Sequence, residues 1–133
     1  MFFTWANKAF ASSSKQDVIK ALAQCIEEVF DLTREKLARS YNELVTLPLY
    51  RSPAFRDAWL DGVMADSLGY AGTEIIRRTV GDSKVMEIES VTDPSIRIPM
   101  ERALIKLGIS LIKERGVIRS GREVTDRFRL ILA

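Results

Sequence analysis

Apolar residues recur every three or four positions along most of the chain, a spacing that predicts helices rather than strands. Val18, Leu22, Ile26, Val29, Phe30, Leu37, Tyr41 and Leu44 make one such series, with Glu27, Glu28, Arg34, Glu35 and Lys36 on the outer faces. One long amphipathic helix is expected there. It opens at Ser12-Ser13-Ser14, where Ser14 and Asp17 resemble a capping box, and ends near Val45, because Pro48 disfavours a helical residue before it. A second helix is better marked. Ser52 suits an N-cap, Pro53 the first helical position, and Phe55, Trp59, Val63, Met64, Leu68, Ile75 and Ile76 continue the stripe to Val80 and a terminal Gly81. A third helix starts at Asp93-Pro94 or after a break at Pro99, buries Met100, Ala103, Leu104, Leu107, Leu111 and Ile112, and closes at Gly116. A short last helix from about Arg122 carries Val124, Phe128, Ile131 and Leu132, while residues 82–92 fit either a short helical turn or an extended connection. The expected fold is all-α, a bundle of about four main helices joined by short loops.

Within the second helix, residues 69–81 read Gly-Tyr-Ala-Gly-Thr-Glu-Ile-Ile-Arg-Arg-Thr-Val-Gly. Gly69 and Gly72 each cost about 1 kcal/mol relative to alanine in an exposed helix, so a close approach by another backbone or a ligand is expected there. Arg77 and Arg78 follow. Each carries a planar fork of donors suited to carboxylate or phosphate, which makes the pair a candidate anion site. The same two residues also suit a helix C-terminus, where cations complement the macrodipole and Glu74 supplies the i+3 and i+4 partner. Spacing alone leaves both readings open.

The stretch from Gly69 to Gly81 resembles the arginine-pair motif near the C-terminus of S-methyl-5-thioribose kinases, which phosphorylate the 1-hydroxyl of methylthioribose with ATP in methionine salvage. The resemblance continues through Asp82 to Val91, Asp93-Pro94, Glu101 to Leu104, Leu107-Gly108 and Leu111-Ile112, and upstream through Met1 to Ala6. It covers only the last part of such a kinase. It implies a helical bundle like the C-terminal lobe of a kinase-like fold, with Arg77 and Arg78 beside the sugar and the transferred phosphoryl group. One arginine would reach the ligand while the other is held by Glu74 or Asp66. ATP and magnesium are implied for the complete enzyme, and an N-terminal kinase portion is implied as partner. Many relatives carry histidine where Lys84 stands, and lysine replaces an imidazole only as a cation.

The nucleotide equipment is missing from these residues. The seven glycines are scattered, no strand lysine is present, and a chain with zero histidines cannot hold the family's histidine-containing catalytic loop. The family's metal-binding acidic segment would lie before Met1. No catalytic residue and no metal ligand set is assigned, and the chain alone is not expected to phosphorylate sugar. It is read as half of a split enzyme or a truncated one; the alternative is a helical interaction or self-association module built on the same scaffold.

Composition narrows the remainder. A length of 133 residues suits one domain, 1–133, and 47% apolar with 29% charged residues fits a globular chain. Twenty basic residues against eighteen acidic ones give no nucleic-acid or membrane-surface signature, and no run approaches transmembrane length. The single Cys25 rules out an internal disulfide and, with no signal peptide, points to the cytoplasm, where it is expected as a packed thiol. Trp5 and Trp59 are expected in the core. Asp57, Asp61, Asp66, Glu87 and Glu89 are expected as solvated acids, and the basic run from Lys113 to Arg129 as a solvated face.

Overall fold

A computed structural model describes residues 1–11 and 16–133, and these form six α-helices with no strand among them. In chain order they are α1 (Phe2–Phe10), α2 (Gln16–Leu44), α3 (Pro53–Val80), α4 (Met86–Glu89), α5 (Pro94–Glu114) and α6 (Gly121–Leu132), with a single 3-10 turn at Pro48–Tyr50. The four expected segments are α2, α3, α5 and α6. The proposed Ser14 cap lies outside the described residues. Helix α1 is not among the expected segments, since it is short, has no side-chain cap at Met1, and is rich in aromatics that carry little helical preference.

Local chemistry starts α3, α5 and α6. Ser52 Oγ accepts from the Phe55 amide at 3.2 Å with Pro53 at the first position, Asp93 accepts from the Ser95 amide at 2.8 Å with Pro94 behind it, and Ser120 accepts from the Glu123 amide at 3.3 Å. Helix α5 therefore begins at Pro94 and runs through Pro99 without ending. Gly81 closes α3, its amide donating to the Arg77 carbonyl at 2.9 Å.

The most extensive contact in the molecule is α3 against α5. On α3 the buried stripe is Leu60, Met64, Leu68, Ile75 and Thr79; on α5 it is Met100, Ala103, Leu104, Leu107 and Leu111. Between these stripes Gly72 meets Gly108. A Cβ placed on Gly72 would stand 2.6 Å from the Gly108 carbonyl oxygen and 2.8 Å from Ile112 Cγ1, and one on Gly108 would stand 2.8 Å from the Gly72 carbonyl. Two absent side chains thus let the helix axes approach until backbone touches backbone. Leu104, Leu107 and Leu111 are fully buried by that approach, each contributing about 1.5–3 kcal/mol of transfer free energy.

The other helices wrap this pair. Trp5 of α1 stands edge-on to Phe128 of α6 with centroids 4.8 Å apart, and α1 is tied to α4 where Thr4 Oγ1 donates to Glu87 Oε1 at 3.0 Å and Asn7 Nδ2 donates to the Glu87 carbonyl at 2.8 Å. Helix α6 lies on α2, held where the Gly121 amide donates to Asp31 Oδ1 at 2.8 Å and Arg129 pairs with Glu27 at 3.1 Å. Two expectations are corrected here. Trp59 is 39% exposed, because the core face of α3 is set by Leu60 and Met64 and the neighbouring position turns outward. Cys25 is also exposed, since Ala23 and Ile26 take the inner positions of α2. Trp5, at 2% exposure, is in the core as expected. Among the described residues no helix is long and apolar enough to cross a membrane.

The glycine contact yields a paired prediction. Gly72→Ala should lower stability by about 1–3 kcal/mol through overpacking against the α5 backbone. Gly62→Ala, on the same helix with nothing within 4 Å of the added carbon, should raise it by about 0.5–1 kcal/mol. Urea unfolding followed by circular dichroism reads both; a tolerated Gly72→Ala would show that the helices do not meet backbone to backbone.

Candidate functional site

The last two turns of α3 bring Glu74, Arg77 and Arg78 together. Position 74 stands three and four residues before the arginines, so its carboxylate lies on the helix surface between two side chains that leave the axis about 100° apart. Arg77 donates side-on to it, Nε to Oε2 and Nη2 to Oε1, both at 2.9 Å, and Arg78 Nε donates to Oε1 at 2.7 Å. Both guanidiniums are therefore held by one acid. Of the two acids expected to hold one arginine while the other reaches a ligand, Glu74 engages both and Asp66 engages neither. Asp66 pairs with Arg115 at 3.3 Å.

The cluster lies on the surface, with side-chain exposures of 48% for Glu74, 54% for Arg77 and 40% for Arg78. Its donors are only partly used. Arg77 Nη1 and both terminal nitrogens of Arg78 have no acceptor among the described residues. Two positive charges against one negative charge leave the patch with a net charge of +1. Arg77 and Arg78 hydrogen-bond to Glu74 and hold its pKa down at about 2 instead of the ordinary 4.5, while Glu74 in turn raises that of Arg77.

One turn upstream, a cleft of about 360 Å³ opens between α3 and α5, lined by Asp66, Gly69, Tyr70, Thr73, Ile112 and Arg115. The arginine pair does not line it. Gly69 admits the Arg115 side chain here, since a Cβ at that position would fall 2.8 Å from Nη1. Close approach at Gly69 was legible; its occupant was not. Arg115 was hidden within the basic run from Lys113 to Arg129, whose arginines all meet acids: Arg115 with Asp66, Arg119 with Asp61, Arg122 and Arg129 with Asp126, and Arg127 with Glu114. Lys84 pairs with Glu101 at 3.2 Å, a link from the α3–α4 connection to α5. Among the described residues no three acidic, histidine or cysteine side chains converge as a metal site.

At the far end of the α2–α3 hairpin is a second, apolar groove of about 570 Å³, lined by Leu37, Tyr41, Leu44, Val45, Tyr50, Phe55 and Trp59 along with Ser40. Tyr41 and Trp59 pack with centroids 5.1 Å apart, and the Tyr41 hydroxyl donates to the Tyr50 carbonyl at 2.8 Å.

The described residues thus form an all-α bundle in which one long helix ends in a surface arginine pair. No protein-family profile matches the chain. Among curated proteins it is similar to methylthioribose kinases. It is 37% identical over 68 residues to that of Exiguobacterium sibiricum, covering 51% of this chain and 18% of the relative. It is 45% identical over 60 residues to that of Erwinia tasmaniensis, covering 45% and 15%, and 33% identical over 104 residues to that of Citrobacter koseri, covering 78% and 26%. By sequence the chain is a relative of methylthioribose kinases that matches a short portion of each, consistent with a C-terminal part of that enzyme. It spans about a quarter or less of the length of these relatives.

The shared carboxylate gives a titration prediction. Because the folded pKa is depressed, the ion-pair contribution of Glu74 is fully present above its ordinary pKa of 4.5 and is lost only as the pH falls through about 2. Carbon-detected NMR should place the Glu74 midpoint near 2; a midpoint above 4 would show that the arginines do not engage it.

Proposed function

We propose that this chain is the substrate-side helical part of a methylthioribose kinase-like protein, residues 1–133 acting as one helical domain of the kinase-like C-terminal lobe. In this reading Arg77 and Arg78 bind the anionic group that is transferred to the sugar. The observation that carries it is the Glu74 cluster: two guanidiniums drawn to one side of α3, with donors left over, in a chain similar to enzymes named for methylthioribose. Arginine fits this task because each further charge-assisted bond to a phosphoryl oxygen adds about 1.5–3 kcal/mol.

ATP and magnesium belong to the complete enzyme in this reading. The described residues do not fit them, since no acidic set converges for a metal and the glycines are scattered along the chain, with Gly72 and Gly108 taken up by the α3–α5 crossing, rather than gathered in a phosphate loop. They are assigned to an N-terminal kinase portion, with which this chain would act as a partner. A second reading, a helical interaction module capable of self-association, is favoured by the apolar groove at Tyr41 and Trp59.

Calorimetric titration with methylthioribose and with its 1-phosphate, each with and without magnesium-ATP, tests the first reading. The phosphate ester should bind, and Arg77→Ala and Arg78→Ala should each weaken it about tenfold or more. Indifference of both variants would overturn the assignment. Sedimentation of the unaltered chain tests the second reading, which a stable oligomer would favour.

A further inference from the structure

Glu74 is the one negative charge set between two candidate anion-binding arginines, and by charge alone it works against an anion. Its geometry points the other way. Arg77 and Arg78 are adjacent on α3, so the helix aims them about 100° apart, and two side chains so divergent do not converge unaided on one ligand. The Glu74 carboxylate engages both, side-on to Arg77 at 2.9 Å and through Nε to Arg78 at 2.7 Å, and its Oε1 is shared between them.

Three terminal nitrogens stay outside these contacts. Arg77 gives Nε and one terminal nitrogen, Arg78 gives Nε alone, and Arg77 Nη1 with both terminal nitrogens of Arg78 keep their donors. A side-on carboxylate also fixes the plane of the guanidinium, removing rotamer freedom before a ligand arrives. An isolated exposed ion pair contributes little, but a bidentate pair within a three-residue network is the circumstance in which surface charges hold one geometry.

We propose that Glu74 is a positioning residue for the arginine pair: its carboxylate gathers Arg77 and Arg78 onto one side of α3, leaving their outer donors available to a single phosphoryl or carboxylate group. The inference rests on reading the pair as an anion site, and it identifies the determinant of that site's geometry. It differs in sign from the alternative role for Glu74, a helix-stabilising i+3 and i+4 partner, in which removing its charge only makes the patch more positive.

The test is titration of the 133-residue chain with inorganic phosphate at low ionic strength, with thermal unfolding measured alongside. Glu74→Gln removes the charge, while Glu74→Asp keeps it and shortens the reach by one methylene. Positioning predicts at least about fivefold weaker phosphate binding in both variants, with the folded helix content unchanged. Tighter or equal binding in Glu74→Gln, or unaltered binding in Glu74→Asp, overturns the inference while leaving the arginine site standing. If the unaltered chain ignores phosphate, or the Arg77→Ala/Arg78→Ala double variant binds it equally well, the arginine reading itself fails and this inference with it.

Discussion

The contact between Gly72 and Gly108 sets the geometry of the molecule. Without side chains at these two positions, α3 and α5 approach to backbone contact, and their remaining apolar residues interdigitate on either side of the crossing. Packing of this kind has little slack, because interiors are filled to crystal-like density and a single methyl group at the crossing must displace backbone. Helices α1, α2 and α6 are then laid over a pair whose spacing is already fixed, with Trp5 and Phe128 closing the core from the opposite side.

Rigidity at the crossing has a bearing on the end of α3. The arginine pair follows Gly72 by less than two turns, and Ile75 before it and Thr79 after it are buried against the bundle, with Thr79 Oγ1 donating to the Ile75 carbonyl at 2.7 Å. The outer face of those same turns presents Glu74, Arg77 and Arg78. A surface cluster mounted on an anchored helix keeps its orientation better than one carried on a loop, a useful property for groups that must meet a charged ligand in a fixed geometry.

The sequence pattern was informative wherever periodicity and capping residues coincided. Ser52-Pro53 and the buried series from Met100 to Leu111 located α3 and α5, with Asp93-Pro94 one of the two starts left open for α5, and the backbone approach expected at Gly69 and Gly72 is found at Gly72. It was weaker where tertiary context decides. Periodicity placed Val18, Val29 and Leu44 on the inner stripe of α2, yet all three are exposed, because Ala23, Ile26 and Tyr41 set the face that is buried. Trp59 and Cys25 were misplaced for a related reason: residue type favours burial, but helix rotation is set by neighbours one position away. At the candidate site, i+3 and i+4 spacing gave Glu74 as a partner, but only the fold shows one carboxylate serving both arginines and Asp66 turned to Arg115.

The two tryptophans occupy opposite environments. Trp5 is sealed beside Phe128 at 2% exposure, whereas Trp59 sits at 39% exposure on the hairpin tip against Tyr41. Indole fluorescence shifts to the blue in apolar surroundings and is quenched by iodide only where solvent reaches the ring. Emission from this chain therefore separates into two spectral components without any label, one reporting on the integrity of the core and the other on whatever comes to cover the apolar groove.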